Sequence, residues 1–190
     1  MLRDILDHDA TAYFCKETEL KRTLSSLKEP PQLVITDSQV FGQVAKILPS
    51  NIPLTSFSMV LARAKGPFDQ YVKGTPTISH LQDGNRVLIL ESCTHDVTCE
   101  DIGRVKIPNL IQRHTGKKIE FEVVSGLSAI NRPLSDYQMV IQCGGCVVTA
   151  KQIEARLQPA IEAGIPVSNY GLVLAYLNGI FRRSLAPLGY

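Results

Sequence analysis

Three cysteines hold most of the chemical possibilities of this sequence: Cys93, and the pair in Gln142-Cys143-Gly144-Gly145-Cys146. A two-residue spacer lets both sulfurs of a pair reach one metal ion or cluster. Glycines in the spacer leave backbone N–H groups free to face those sulfurs. The same spacing serves a thioredoxin-like dithiol at a helix start. A third thiol shifts the balance, because three thiolates suit a soft metal or an iron–sulfur cluster. The loop around Cys93 is dense in further ligand types: His95, Asp96, Cys99, Glu100 and Asp101. Each also has a plainer use. Glu100 or Asp101 is as well placed to cap the helix that follows. His95 can lie on the surface or donate to a sulfur. Cys99 reads as a semi-buried thiol, and Cys15, inside an apolar run of the first half, as a core residue.

These thiols converge only if the backbone brings them together. Arg86-Val87-Leu88-Ile89-Leu90 precedes Cys93 and Tyr137-Gln138-Met139-Val140-Ile141 precedes Cys143. Both are short apolar runs that read as buried strands. In an open parallel sheet, ligands sit beyond the carboxyl ends of the strands. Two neighbouring parallel strands would therefore bring all three sulfurs to one edge. The rest of the chain alternates apolar runs with helical patterns, which predicts an α/β fold. The expected elements of the first half are a strand over 10–15, a helix over 18–27, a strand over 33–36 and a helix over 38–48. Residues 53–64 start as a strand, and a weak, proline-interrupted stretch runs to His80.

Asp83-Gly84-Asn85 is a strong turn signal, and it sets the expected boundary between domains at residues 1–82 and 83–190. In the second half, strands are expected over 87–90, 118–124, 137–141 and 165–168. A helix over 100–114 contains Pro108. Thr149 and Gln152 have the spacing of a capping box, and Ile153, Leu157 and Ile161 form the buried stripe of the helix they open. Pro159 marks its weak point and Gly164 its end. A last apolar helix follows Asn169-Tyr170-Gly171. The expected whole is two small three-layer domains with mainly parallel sheets, and a cluster at the carboxyl edge of the second.

The 190 residues are 44% hydrophobic and 20% charged, the composition of an ordinary globular protein. Twenty basic against 18 acidic residues leave a formal charge of +2, which gives no electrostatic case for nucleic acid as a partner. No apolar run approaches a membrane span and the acidic N-terminus lacks a signal peptide's apolar stretch. Both point to the cytoplasm. Five cysteines, an odd number, argue against a secreted disulfide framework. Gly116-Lys117 has no glycine at the earlier position a P-loop needs, so the chain offers no GTP site.

Taken together, Cys93-Thr94-His95, a long gap and Gln142-Cys143-Gly144-Gly145-Cys146 resemble the Cys-x-His … His-Cys-x-x-Cys pattern of the HydF family, the maturation factors of FeFe-hydrogenases. The flanks are similar too: Asp101-Ile102-Gly103-Arg104-Val105-Lys106-Ile107-Pro108, His114-Thr115-Gly116-Lys117-Lys118 and Asn169-Tyr170-Gly171. In the first half, residues 33–39 and 52–58 look like the family's dimerisation domain. The resemblance covers nearly the whole chain. It implies a 4Fe-4S cluster on Cys93, Cys143 and Cys146. It also implies a scaffold or carrier that takes up the diiron precursor of the hydrogenase active site and hands it to the apo-hydrogenase. Two radical-SAM maturases are the other implied partners, and a homodimer, paired again into a tetramer, is the implied assembly. Two departures stand out. The family's GTPase domain is missing from this sequence, so the chain is expected to be no enzyme. Gln142 replaces the family's histidine, and a neutral amide is a poor iron ligand. The exchangeable fourth position on the cluster then falls to His95, Glu100 or solvent. The alternative is a structural zinc or thiol-redox domain using Cys143 and Cys146.

Overall fold

A computed structural model describes residues 2–92, 102–126 and 128–190 of the chain. Cys93, His95, Cys99 and Glu100 lie outside the described residues. The architecture is α/β, with two sheets whose described strands are all parallel and nine α-helices among the described residues, as two small three-layer domains require. No described helix is long and apolar enough to cross a membrane.

The first half comprises α1 (Leu2–Asp7), α2 (Leu20–Ser26), β1 (Val34–Thr36), α3 (Phe41–Ile47), β2 (Leu54–Ser56), α4 (Phe57–Lys65) and α5 (Phe68–Gly74). β1 and β2 pair in parallel, with Val34 opposite Leu54. The chain turns from strand to helix with no linker at Ser56, whose Oγ accepts the Met59 N–H at 3.3 Å and caps α4.

Two expectations fail here. The run 10–15 carries no strand: Tyr13 and Phe14 are 66% and 70% exposed, and Cys15 is exposed rather than in the core. β1 pairs with β2 alone among the described residues, so this apolar run has no ladder to join. An alternating run becomes a strand only by pairing. Residues 66–80, in contrast, are helical, forming α5 and a 3-10 segment Thr75–His80. The prolines do not forbid it. Pro67 stands just before α5 and Pro76 in the first turn of the 3-10 segment, where a missing N–H costs little.

The second half holds β3 (Arg86–Leu90), a π-helical turn Ile102–Lys106 that runs into α6 (Ile107–Thr115), β4 (Glu120–Val124), β5 (Met139–Gln142), α7 (Ala150–Glu162), β6 (Val167–Asn169), α8 (Tyr170–Leu177) and α9 (Phe181–Leu185). Pro108 lies within α6 as expected, in its first turn, where a missing N–H breaks nothing. The capping box at Thr149 and Gln152 is formed, and α7 continues through Pro159 to Glu162.

The larger sheet runs β4-β3-β5-β6. Its faces follow the period of two. Val87, Ile89, Met139 and Ile141 pack with Ile107 and Ile111 of α6. Leu88, Leu90 and Val140 face the other way, onto Ile153 and Leu157 of α7. That second core continues without interruption into Phe41, Leu54 and Met59 of the first half. α8 explains the join. Its Leu172 and Ala175 belong to one core and its Val173 and Leu174 to the other, which is why this helix has almost no polar face.

Candidate metal centre

Strand order selects one place on this sheet. The chain enters at β3, passes out to β4, then crosses back over β3 to β5 and on to β6. The direction of winding therefore reverses between β3 and β5. Such a switch point opens a crevice outside the carboxyl ends of the two strands, because their connections leave on opposite sides. β3 and β5 are parallel neighbours, with Leu90 opposite Gln142. Cys143 is the next residue after β5. Its backbone N–H donates to Leu90 O at 2.9 Å, so the ladder extends one step into the crevice.

Cys143 is 8% exposed, and its sulfur is well provided with donors. The Ser92 backbone N–H points at Sγ from 3.1 Å and the Gln142 Nε2 amide from 3.4 Å. Gln142 also donates to Ser92 Oγ at 2.9 Å, so one buried amide links the ends of β5 and β3. Its Oε1 has no hydrogen-bond partner among the described residues. Gln142 thus turns a donor, not a lone pair, toward the sulfur. Ser92 is the residue before Cys93. Cys146 is exposed, at the outer end of the Gly144-Gly145 spacer. The structure thus places the pair at the expected sheet edge, while the expectations for Cys93, His95 and Glu100 concern undescribed residues. No group of three metal-ligating side chains occurs among the described residues.

Several residues that shape this edge carry no motif in the sequence. Glu91, 7% exposed, accepts at Oε2 from Arg104 Nη2 (3.1 Å) and Ser125 Oγ (3.0 Å), tying the π-helical turn to the strand ends. Arg156 of α7 donates to Glu91 O at 2.9 Å and Val124 O at 3.0 Å. Burial pulls the Arg156 pKa down and the nearby Cys143 sulfur offsets part of that, so a guanidinium stands within electrostatic reach of the thiol. Asn169 Nδ2 donates to Cys143 O at 3.1 Å, while its Oδ1 accepts the Gly171 N–H at 2.8 Å and caps α8. An asparagine ahead of an apolar helical run is a signal that could have found this cap, but nothing in it points to the cysteine loop.

Gly145 has φ +65°, and a Cβ there would stand 2.5 Å from Ile153 Cδ1. Left-handed backbone costs a side chain about 1–2 kcal/mol, and the flexible tip of Ile153 can yield. Gly145→Ala should therefore lower stability by about 2 kcal/mol in a urea titration. A loss below about 0.5 kcal/mol would show that the loop adopts another conformation.

Tyr71, 1% exposed, has its hydroxyl pushed above the ordinary value of 10.0 by burial first and by the Cys143 sulfur second. The neutral form is the one the fold accepts. Its contribution is complete below about pH 10, where the unfolded chain's tyrosines are also neutral. It is lost as pH rises further, because the unfolded state then releases the proton first. Tyr71→Phe should flatten this alkaline loss. Equal slopes for the two proteins between pH 9.5 and 11 would disprove it.

The fold and the site define a parallel α/β module with a cysteine pair in the crevice of its switch point. The family model of the hydrogen maturase F tetramerization domain matches residues 69–187, and that of the hydrogen maturase F dimerization domain matches residues 1–66. The chain belongs to the hydrogen maturase F family, and its two matched domains are self-association modules of a protein of hydrogenase maturation. No curated protein matches the chain.

Proposed function

We propose that the chain is an iron–sulfur scaffold and carrier in the maturation of the FeFe-hydrogenase active site, with dimerisation assigned to residues 1–82 and the cluster to residues 83–190. The observation that carries this reading is the Cys143 sulfur at the switch-point crevice, with two N–H donors aimed at it. Hydrogen bonds to ligand sulfurs are how proteins set the charge and potential of such centres. The donor set fits a thiolate-held group: a buried sulfur and an exposed one joined by two glycines, with Ser92 and Gln142 donating to the first. Cys93, Cys143 and Cys146 would hold a 4Fe-4S cluster. When bound, that group supplies one iron whose fourth position, open to His95, Glu100 or solvent, can exchange.

The protein's own residues do the rest. Gln142 and Ser92 orient the inner sulfur. Arg156 places a positive charge within electrostatic reach of it. Cys146 stays at the surface, where a partner can approach. The diiron precursor is the cargo in this reading, and the apo-hydrogenase and the radical-SAM maturases are the exchange partners. Leu6, Tyr13, Phe14, Leu33 and Phe57, all exposed apolar side chains within residues 1–66, supply surface for self-association.

Anaerobic reconstitution with iron counting and EPR tests the reading. Wild type should hold about four irons per chain and absorb broadly into the visible. Cys93→Ala and Cys143→Ala should each lose most of that iron. A colourless protein with one zinc per chain would replace the reading with a structural zinc site. A metal-free protein whose Cys143–Cys146 pair cycles with thioredoxin would replace it with a redox one.

A further inference from the structure

The cysteine loop is held from beneath by a helix of the other matched domain. Lys65, the last residue of α4, donates its ammonium to the carbonyls of Gly145 at 2.9 Å, Val148 at 3.0 Å and Cys146 at 3.4 Å. At the opposite end of α4, Ser58 Oγ donates to Asn169 Oδ1 at 3.0 Å, and Asn169 Nδ2 in turn donates to Cys143 O at 3.1 Å. A Cβ on Gly144 would lie 3.4 Å from Ser58 Oγ, so the loop rests directly on the helix. The carbonyls of both cysteines therefore trace to α4, one through Asn169 and one through Lys65.

The consequence for the loop is geometric. In a trans peptide the C=O and N–H point in opposite directions. Drawing the Gly145 and Cys146 carbonyls onto one ammonium turns the N–H groups of Cys146 and Val147 away from α4. Backbone N–H groups disposed in this way are the ordinary donors to ligand sulfurs. An ammonium also has three donors and a full charge, which here meets three carbonyls and offsets negative charge that gathers when thiols ionise to bind metal.

We propose that Lys65 is a positioning residue for the metal-binding cysteines: its ammonium holds the Cys143–Cys146 loop in the shape that ligates, so the dimerization domain sets the geometry of the site in its neighbour. This rests on the proposed thiolate centre, and the test separates the two. The probe is Co²⁺, titrated anaerobically into the full chain and followed by its thiolate charge-transfer band. Lys65→Met should weaken Co²⁺ binding about tenfold, the scale on which residues supporting a ligand act. Lys65→Arg, which keeps the charge and several donors, should restore most of it. Lys65→Gln replaces Lys65→Met if circular dichroism shows that the methionine variant does not fold.

Binding by Lys65→Met within twofold of wild type, with an unchanged band, would overturn the proposal. So would an arginine variant as weak as the methionine one, since charge and carbonyl bonds would then not be what matters. Wild type that binds Co²⁺ through thiolates yet takes up no iron would remove the iron–sulfur reading and leave the Lys65 role intact. Wild type without a thiolate band would remove both.

Discussion

Gly74→Ala lowers the stability of this protein, although the same change in an ordinary helix raises it. Gly74 ends α5, where alanine is the better helix former by about 1 kcal/mol. The residue is buried, however, and a Cβ there would stand 2.2 Å from Val167 O and 2.9 Å from Val167 N. Both are backbone atoms of β6, so no side chain can swing aside. Thr75, the next residue, fixes the approach further by bonding Ser168 Oγ at 2.6 Å. Either α5 or β6 must move. Overpacking of this kind costs about 1–3 kcal/mol where side chains can adjust, and a backbone contact belongs at the top of that range. With the helix gain subtracted, the expected net loss is about 2 kcal/mol, or about 4–8 °C in Tm for a chain of this size. The effect should also reach the site, because β6 carries Asn169 and Asn169 holds the Cys143 carbonyl. Urea and thermal unfolding of the two proteins decide the sign. An increase in Tm would mean that α5 does not sit on β6.

Arg183→Ala has a comparable expected cost, from lost bonds and not from a clash. Arg183 lies on α9 and reaches the turn between α3 and β2. Its Nη1 donates to Ala45 O at 3.4 Å, and its Nη2 to Leu48 O at 3.2 Å, Ile52 O at 3.1 Å and Pro49 O. Carbonyls at the end of a helix lack intrahelical donors, and a cation there also suits the helix dipole. Hydrogen bonds from a charged group contribute about 1.5–3 kcal/mol net, and the half-exposed setting lets water recover part of the loss. We expect about 3 kcal/mol for Arg183→Ala and a partial rescue by Arg183→Lys, whose single ammonium cannot span four carbonyls. Since Arg183 joins residues 69–187 to residues 1–66, the loss should appear in one cooperative transition. A change below about 1 kcal/mol would place this guanidinium in the class of weak surface contacts.

These two residues show where a linear reading stops. Gly74 appears in sequence as a glycine in a proline-interrupted stretch, and Arg183 as the second arginine of Arg182-Arg183. Their partners lie more than ninety residues away along the chain. The strands β3 and β5 were legible because a buried parallel strand must be a short continuous apolar run. The capping box at Thr149 was legible because its chemistry is confined to four residues. The run 10–15 has the same apolar pattern as a strand and is not one, because pairing is decided by a neighbour. α5 is not legible because prolines on either side of it read as breaks, although at a helix start proline is tolerated.

The same division holds at the metal centre. Residue type and spacing alone determined that thiols following two strands of a parallel sheet could share a ligand, and the combined motifs were specific enough to identify the family. Thiolate chemistry and strand pattern are local properties, written in consecutive residues. Only the tertiary structure decided that the winding reverses between β3 and β5, that Gln142 offers the Cys143 sulfur a donor, and that the loop rests on α4 through Ser58 and Lys65. Such contacts depend on which elements pack together, and packing is set by the shape and burial of the whole core.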